Sequence, residues 1–190
     1  MKVIIDTSSL LSLVRYYLPF DNNSKLFDFI KQEIANGRIV IIDEVLKECE
    51  FTSKQLVVKS LKYLTEKDFK KKHKIPYKTT DILPPSTKKF YNMVDDNFRT
   101  QLSRRLTESE FEQRKKEFLN SADARIILLA LNERYNNNKV EIAIVTEESE
   151  TANDHKAFKK IPAICKILDI NVMTLPELLA KYNEVNIEFK

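Results

Sequence analysis

Apolar residues occur in short β-branched runs, each followed by a stretch with apolar positions at helical spacing. The first run, Val3, Ile4 and Ile5, reads as a buried strand and ends at Asp6. Thr7, Ser8 and Ser9 offer N-cap groups before the apolar run 10–14, in a helix expected to stop at about Leu18, before Pro19. Ser24 is placed to cap a helix over 25–35, closed by Asn36 and by Gly37, which is free to turn left-handed. Residues 38–42, RIVII, form a second buried strand, and 43–51, DEVLKECEF, the helix that follows. SADARIILLALNERY, 121–135, is apolar on most sides and predicts a buried helix. Residues 140–145 and 170–174 are further strands, and 161–168 and 176–181 short helices. Strand and helix alternate, so the chain is read as α/β with a central parallel sheet.

The middle differs. Residues 52–64 look helical, 65–86 irregular, and 86–106 and 107–118 like two polar helices. Residues 51–120 hold 17 Lys/Arg and 9 Asp/Glu, against 15 and 19 in the remainder. Acids accompany the predicted sheet and basic residues the middle, a split that suits a polyanionic substrate. Lys70, Lys71 and Lys72, Lys88 and Lys89, Arg104 and Arg105, and Arg114 to Lys116 are candidate phosphate contacts. Tyr77, Phe90 and Tyr91, interleaved with them, are candidate stacking platforms for single-stranded bases. The ordinary alternative is a set of solvated helix faces. Tyr16, Tyr17 and Phe20 are expected in the core, while Lys159 and Lys160 either steer a phosphate or lie exposed. Residues 185–189 alternate weakly and read as a frayed terminus.

Several classes are excluded. A single glycine, Gly37, rules out a Walker A loop and a GxGxxG fingerprint. His73 and His155 have no partner at ligand spacing, so a structural zinc site is not expected, and Cys49 and Cys165 read as free buried thiols. No apolar run approaches the ~18 residues of a membrane span, and the N-terminus lacks a signal peptide. The expectation is a soluble cytoplasmic protein without membrane contact. With 190 residues, 43% of them hydrophobic, residues 1–190 are read as one domain with 51–120 as a mainly helical basic insertion.

Acidic residues recur at equivalent topological points. Asp6 follows the first strand, Glu44 and Glu48 lie on the helix after the second, Asp123 opens the buried helix, and Glu147 and Glu148 follow the third strand. In a parallel sheet all strand C-termini lie along one edge, where ligands bind. Converged carboxylates repel and stay ionised only around a cation. Hard oxygen donors favour Mg²⁺ or Mn²⁺, which support in-line displacement at phosphorus. Taken singly, each acid has a plainer role: Asp6 as a helix cap, Asp123 and Glu44 as complements to helix dipoles, and Glu147, Glu148 and Glu150 as an exposed loop.

Four stretches, VIIDTSSLL, EVLKEC, SADARIILLA and IVTEE, resemble the motifs of PIN-domain proteins, a family of metal-dependent ribonuclease-like proteins. The resemblance covers 1–50 and 121–180; the middle carries no family motif. YYLPFD and KIPAICKILDI are similar to a branch of PIN-like proteins that adds no substrate. The resemblance implies a three-layer α/β/α fold and a Mg²⁺/Mn²⁺-dependent endoribonuclease leaving a 3′-hydroxyl. It implies Asp6, Glu48, Asp123 and Glu148 as metal-holding and catalytic residues, with Glu44 and Glu147 as alternates, and places the hydroxyls of Thr7, Ser8 and Thr146 beside the metal. Toxins of type II toxin–antitoxin pairs are the nearest functional analogy, with RNA as substrate, an antitoxin as partner and a homodimer as candidate assembly. Two residues depart from the family pattern: Glu148 is longer than the commoner Asp, and Ser8 replaces a frequent Asn. A catalytically weak nucleic-acid-binding or scaffold protein is the rival reading. A phosphotransferase with Asp6 as nucleophile is a third, but that class expects a second Asp where Ser8 stands.

Overall fold

The computed structural model describes residues 1–136, 140–150 and 156–182; residues 185–189 and His155 lie outside them. The chain runs β1 (Lys2–Ile5), α1 (Thr7–Ser12), α2 (Lys25–Ala35), β2 (Ile39–Val40), α3 (Asp43–Phe51), α4 (Leu56–Ser60), α5 (Lys67–His73), α6 (Thr87–Asp96) and α7 (Glu108–Leu119). It continues through α8 (Ala122–Asn136), β3 (Ile142–Val145), α9 (Ile161–Leu168), β4 (Asn171–Met173) and α10 (Leu175–Lys181). The four strands are all parallel, in the order β2-β1-β3-β4. Chain direction across the sheet reverses at β1, so a crevice opens beyond the carboxyl ends of β1 and β3.

Helices cover both faces, giving a three-layer α/β/α architecture. On one face α8 packs on β1 and β3 and against α3, α7 and α9. Covered on several sides, it buries the consecutive residues Ile126 to Ala130, which explains its lack of a polar face. On the other face α2 packs on β2, and Phe29 meets Tyr182, just beyond α10, with ring centroids 4.8 Å apart. No described helix is long and apolar enough to cross a membrane. Cys49 and Cys165 are free and buried.

Local chemistry departs from the sequence reading in several places. After α1 the chain continues as a π-helical turn, Leu13–Tyr17, and a 3₁₀ turn, Leu18–Phe20. Leu13 and Val14 stay in the core, but Tyr16 and Phe20 are 64% and 50% exposed, against the expectation that both are core residues. Ser24 takes a left-handed conformation and makes no side-chain cap; Asp21 instead accepts from the Leu26 and Phe27 N–H groups. Gly37, at φ +71°, turns left-handed as expected. The second strand is shorter than read, because Ile41 and Ile42 leave β2 for a neighbour in the insertion. Tyr77 N–H donates to Ile41 O and Asp43 N–H to Tyr77 O.

The insertion is more broken than its sequence suggested. Ser53, Lys54 and Gln55 all have positive φ, which interrupts the helix expected over 52–64. Lys67–His73, read as irregular, is helical: Phe69 packs on Tyr63 at 5.1 Å and so anchors one face of α5. The helix expected over 86–106 ends at Asp96. Phe98 and Phe90 turn inward there, so Phe90 is a core residue, 4% exposed, and not a base platform. Phe118 stacks on Phe158 and Phe111 packs on it at a tilt, building a satellite aromatic core between the insertion and the segment after β3.

Candidate functional site

Asp6 is the hub of the crevice. It is buried, and both of its carboxylate oxygens are engaged. Oδ1 accepts from the Thr7 N–H at 2.7 Å, so Asp6 does cap α1. Oδ2 accepts from the Ser8 hydroxyl at 2.6 Å and the Thr146 hydroxyl at 3.0 Å. Ser8 and Thr146 lie 3.2 Å apart and stitch the ends of β1 and β3 together. Their oxygens also accept from the next loop, Ser8 from the Glu147 N–H and Thr146 from the Glu148 N–H.

The other three acids arrive on separate elements. Glu48, on α3, accepts from the Thr7 hydroxyl at 2.6 Å. Glu148 accepts from the Ile161 N–H at the start of α9 and has Lys160 Nζ at 4.0 Å. Asp123, in the first turn of α8, faces this group. Desolvation pushes its carboxyl up to about 7, with the negative charges of Glu148, Asp6 and Glu48 adding and Lys156 opposing. The Glu48 carboxyl is also raised, first by desolvation and then by Asp6 and Glu44, while Thr7 and Lys156 pull it down. Four carboxyl groups from four chain segments therefore share one electrostatic environment.

Geometry separates each acidic pair. Glu44 ion-pairs along α3 with Lys47 at 3.6 Å, whereas Glu48 reaches the Asp6 hub through Thr7. Glu147 points away from Asp123: its Oε1 accepts from the Leu175 N–H at 2.7 Å, at the start of α10. Asp43, at the head of α3, is spent elsewhere. Burial opposes its charge, but bonds from the Thr79 hydroxyl and amide hold its carboxyl below the usual range.

Lys70, Lys71 and Lys72 are not brought to this group. They sit on α5, whose His73 Nδ1 meets Ala35 O at 2.9 Å, just before the turn into β2. That turn is at the amino edge of the sheet, opposite the carboxylates. Of the basic pairs, Lys159 turns to the insertion and donates to Asn97 O at 2.6 Å, while Lys160 faces Glu148. Lys156 is the residue that sequence reasoning missed. It acts electrostatically on both Glu48 and Asp123. No periodicity or motif marks it, because it is brought there by tertiary pairing with the insertion.

Carboxylates with hydroxyl neighbours are a hard-oxygen donor set, which fits Mg²⁺ or Mn²⁺ and not a soft metal. Among the described residues, no three carboxylate, imidazole or thiol groups already stand as a closed ligand set.

The fold and site together define an α/β/α domain with an acidic crevice at the topological switch point of a parallel sheet. The chain belongs to the family described as a domain of unknown function (DUF4411), whose model matches residues 3–185. No curated protein and no solved structure matches it.

Proposed function

We propose that this chain is a Mg²⁺/Mn²⁺-dependent endoribonuclease in which Asp6, Glu48, Asp123 and Glu148 hold the metal. The observation that carries this reading is the convergence of those four carboxyl groups at the switch point, where their mutual repulsion calls for a cation. The four PIN-like motifs supply the same four residues and the substrate class. When bound, such an ion supplies Lewis acidity at phosphorus and an activated water. The chain's own residues fix the donors. Thr7 N–H, Ser8 and Thr146 hold Asp6, the Thr7 hydroxyl holds Glu48, and the Ile161 N–H orients Glu148. By analogy with toxins, such an activity needs restraint, and an antitoxin that covers the acidic crevice is the expected partner.

The test is single-turnover cleavage of single-stranded RNA in Mn²⁺. Loss of a charge-stabilising group at such a site costs roughly 100-fold or more, so Glu48→Gln and Glu148→Gln are expected to lose that much. Glu44→Gln and Glu147→Gln are expected to stay within about threefold of wild type, as surface substitutions do. The reverse ranking would move the site by one helical turn or one residue.

The lysines of α5 should act on encounter only. Alanine at Lys70, Lys71 and Lys72 is expected to flatten the slope of log K against log salt by up to ~2, at ~0.7 per contact. The cleavage rate at saturating RNA should not change; a fall in that rate would put α5 at the cleaved bond.

One observation favours the rival, a catalytically weak binding protein: both Asp6 oxygens and Glu48 already hold internal donors. Under that reading wild type binds RNA, and Mn²⁺ adds neither stability nor cleavage.

A further inference from the structure

Helices α8 and α9 both begin at the acidic crevice, with Asp123 in the first turn of one and the Ile161 N–H on Glu148 at the start of the other. Their far ends meet the head of α6 around a cavity of about 570 Å³. Its apolar lining comes from Phe90 and Met93 on α6, Leu131 and Tyr135 on α8, and Ile167 and Leu168 on α9. Leu131 lies two helical turns beyond Asp123, about 12 Å along α8 at ~1.5 Å per residue, so this cavity is separate from the crevice. Its walls are tied together. Asn132 Nδ2 donates to Leu83 O at 2.8 Å and holds the loop before Pro84 and Pro85 on α8. Arg134 donates to Leu168 O at 3.2 Å and to Asp169 Oδ2 at 3.0 Å, which fixes the end of α9.

A second cavity of about 360 Å³ adjoins the first and shares Ser86, Lys89 and Met93 with it. It adds the polar side chains of Lys88, Asn92 and Asp96. Asp96 is the one acid lining the pair, against Lys88, Lys89 and Arg134. Arg134 is already paired with Asp169, whereas the Lys88 and Lys89 side chains have no partner among the described residues. An apolar compartment therefore opens into a cationic one. The apolar part suits aliphatic side chains better than bases. Bases stack on open aromatic faces, but Phe90 is buried, which leaves Tyr135 as the one open ring beside Met93, Leu131, Ile167 and Leu168. A volume in the range of about 300–1,000 Å³ is that of a ligand site.

We propose that this double cavity is a docking site for an acidic segment of a partner protein. An aliphatic side chain of that segment seats among Met93, Leu131 and Ile167, and a neighbouring Asp or Glu meets Lys88 and Lys89. Charge complementarity selects the occupant: unpaired ammonium groups at the mouth of an apolar cavity favour carboxylates on an apolar chain. Lys88 and Lys89, candidate phosphate contacts in the sequence, are here carboxylate contacts. The site lies at the opposite ends of α8 and α9 from the four acids, so a partner held there leaves the crevice open. It stands independently of the nuclease reading.

The probe is a phage-displayed library of random dodecapeptides, panned on the full chain. The most enriched peptide, carrying fluorescein, is then titrated by fluorescence anisotropy. Enriched peptides are expected to place an aliphatic residue beside Asp or Glu. Lys88→Glu combined with Lys89→Glu should weaken binding about 10-fold or more at low salt, and the difference should shrink as salt screens these exposed charges. Tyr135→Ala should cost about fivefold or more, the scale of an aromatic contact at an interface. Lys88, Lys89 and Tyr135 are exposed, so each variant should melt as wild type does. Alanine at Lys70, Lys71 and Lys72 should leave peptide affinity unchanged, which separates docking from a general attraction of acids to the insertion. A library that yields no acidic–aliphatic peptides, or equal losses in the α5 and α6 variants, overturns the proposal. Single-stranded RNA that displaces the peptide, and loses as much affinity as the peptide does in the Lys88/Lys89 variant, assigns the site to nucleic acid and also overturns it. Absence of RNA cleavage by wild type would sink the nuclease reading and leave this site standing.

Discussion

Asp6→Asn is expected to abolish Mn²⁺ stabilisation and to lower RNA cleavage roughly 1,000-fold, the scale of several kcal/mol that metal assistance supplies. Asp6 is the only one of the four acids that bonds directly to hydroxyls from both β1's end and β3's end. Asparagine keeps the shape, and its oxygen can still accept from the Thr7 N–H. Its amide presents a donor where Oδ2 accepted, and the Ser8 and Thr146 hydroxyls can rotate to accept in turn. The fold is therefore retained while a ligand charge is lost. For wild type at a Mn²⁺ concentration about 100 times Kd, mass action gives about 2.7 kcal/mol, or about 5–10 °C in Tm for a chain of this length. Thermal melts with and without Mn²⁺ measure it. Equal Mn²⁺ shifts in wild type and Asp6→Asn would remove Asp6 from the site.

Asp123→Asn is expected to stabilise the metal-free protein at pH 8 and to make little difference near pH 4. The folded protein holds this carboxyl at about 7, above its ordinary 3.8, through desolvation and the neighbouring acids. Between those values the folded state keeps a proton that the unfolded chain has released. Wild-type stability therefore falls as pH rises from about 4 to about 7, then levels off. Asparagine has no proton to lose, so its advantage grows over the same window. A gain of about 1–2 kcal/mol moves Tm by about 2–8 °C at pH 8. Saturating Mn²⁺ should reverse the order, because the ion needs the ionised carboxylate and displaces its proton. Wild-type Mn²⁺ affinity should accordingly rise from pH 6 to pH 8. If the two proteins show parallel pH profiles without metal, Asp123 does not share the charge of the other acids.

Much of this was legible where local signals and tertiary demands agree. The α2, α3 and α9 bounds match the reading because apolar spacing, breakers and neighbouring strands all point to the same ends. The acid positions were legible for the same reason: parallel strands put their carboxyl ends on one edge, so Asp6 and the loop after Val145 had to meet. Choosing Glu148 over Glu147 rested on the motif resemblance and not on periodicity, since adjacent residues on an extended loop face opposite ways; the structure turns Glu147 to the Leu175 N–H and Glu148 to the Ile161 N–H. The insertion resisted because its order depends on distant partners. Helix α5 has one apolar anchor, Phe69, among charged residues, and only Tyr63 makes that enough. Lys156 was invisible because its partner, Thr100, lies 56 residues away.

The order of the strands also bears on when the crevice can exist during synthesis. Central β1 finds β2 early, but its other neighbour, and the hydroxyl of Thr146 that meets Asp6, arrive 140 residues later. Translation at ~5–20 residues per second makes that a wait of roughly 7–28 s. Until then the emerging chain carries Asp6 and Glu48 without Glu148 or Lys156. A half-made copy on the ribosome, surrounded by RNA, therefore has no assembled crevice. The split of the sheet between the two ends of the chain acts as a built-in delay: the acids of the crevice meet only once the last strands have been made.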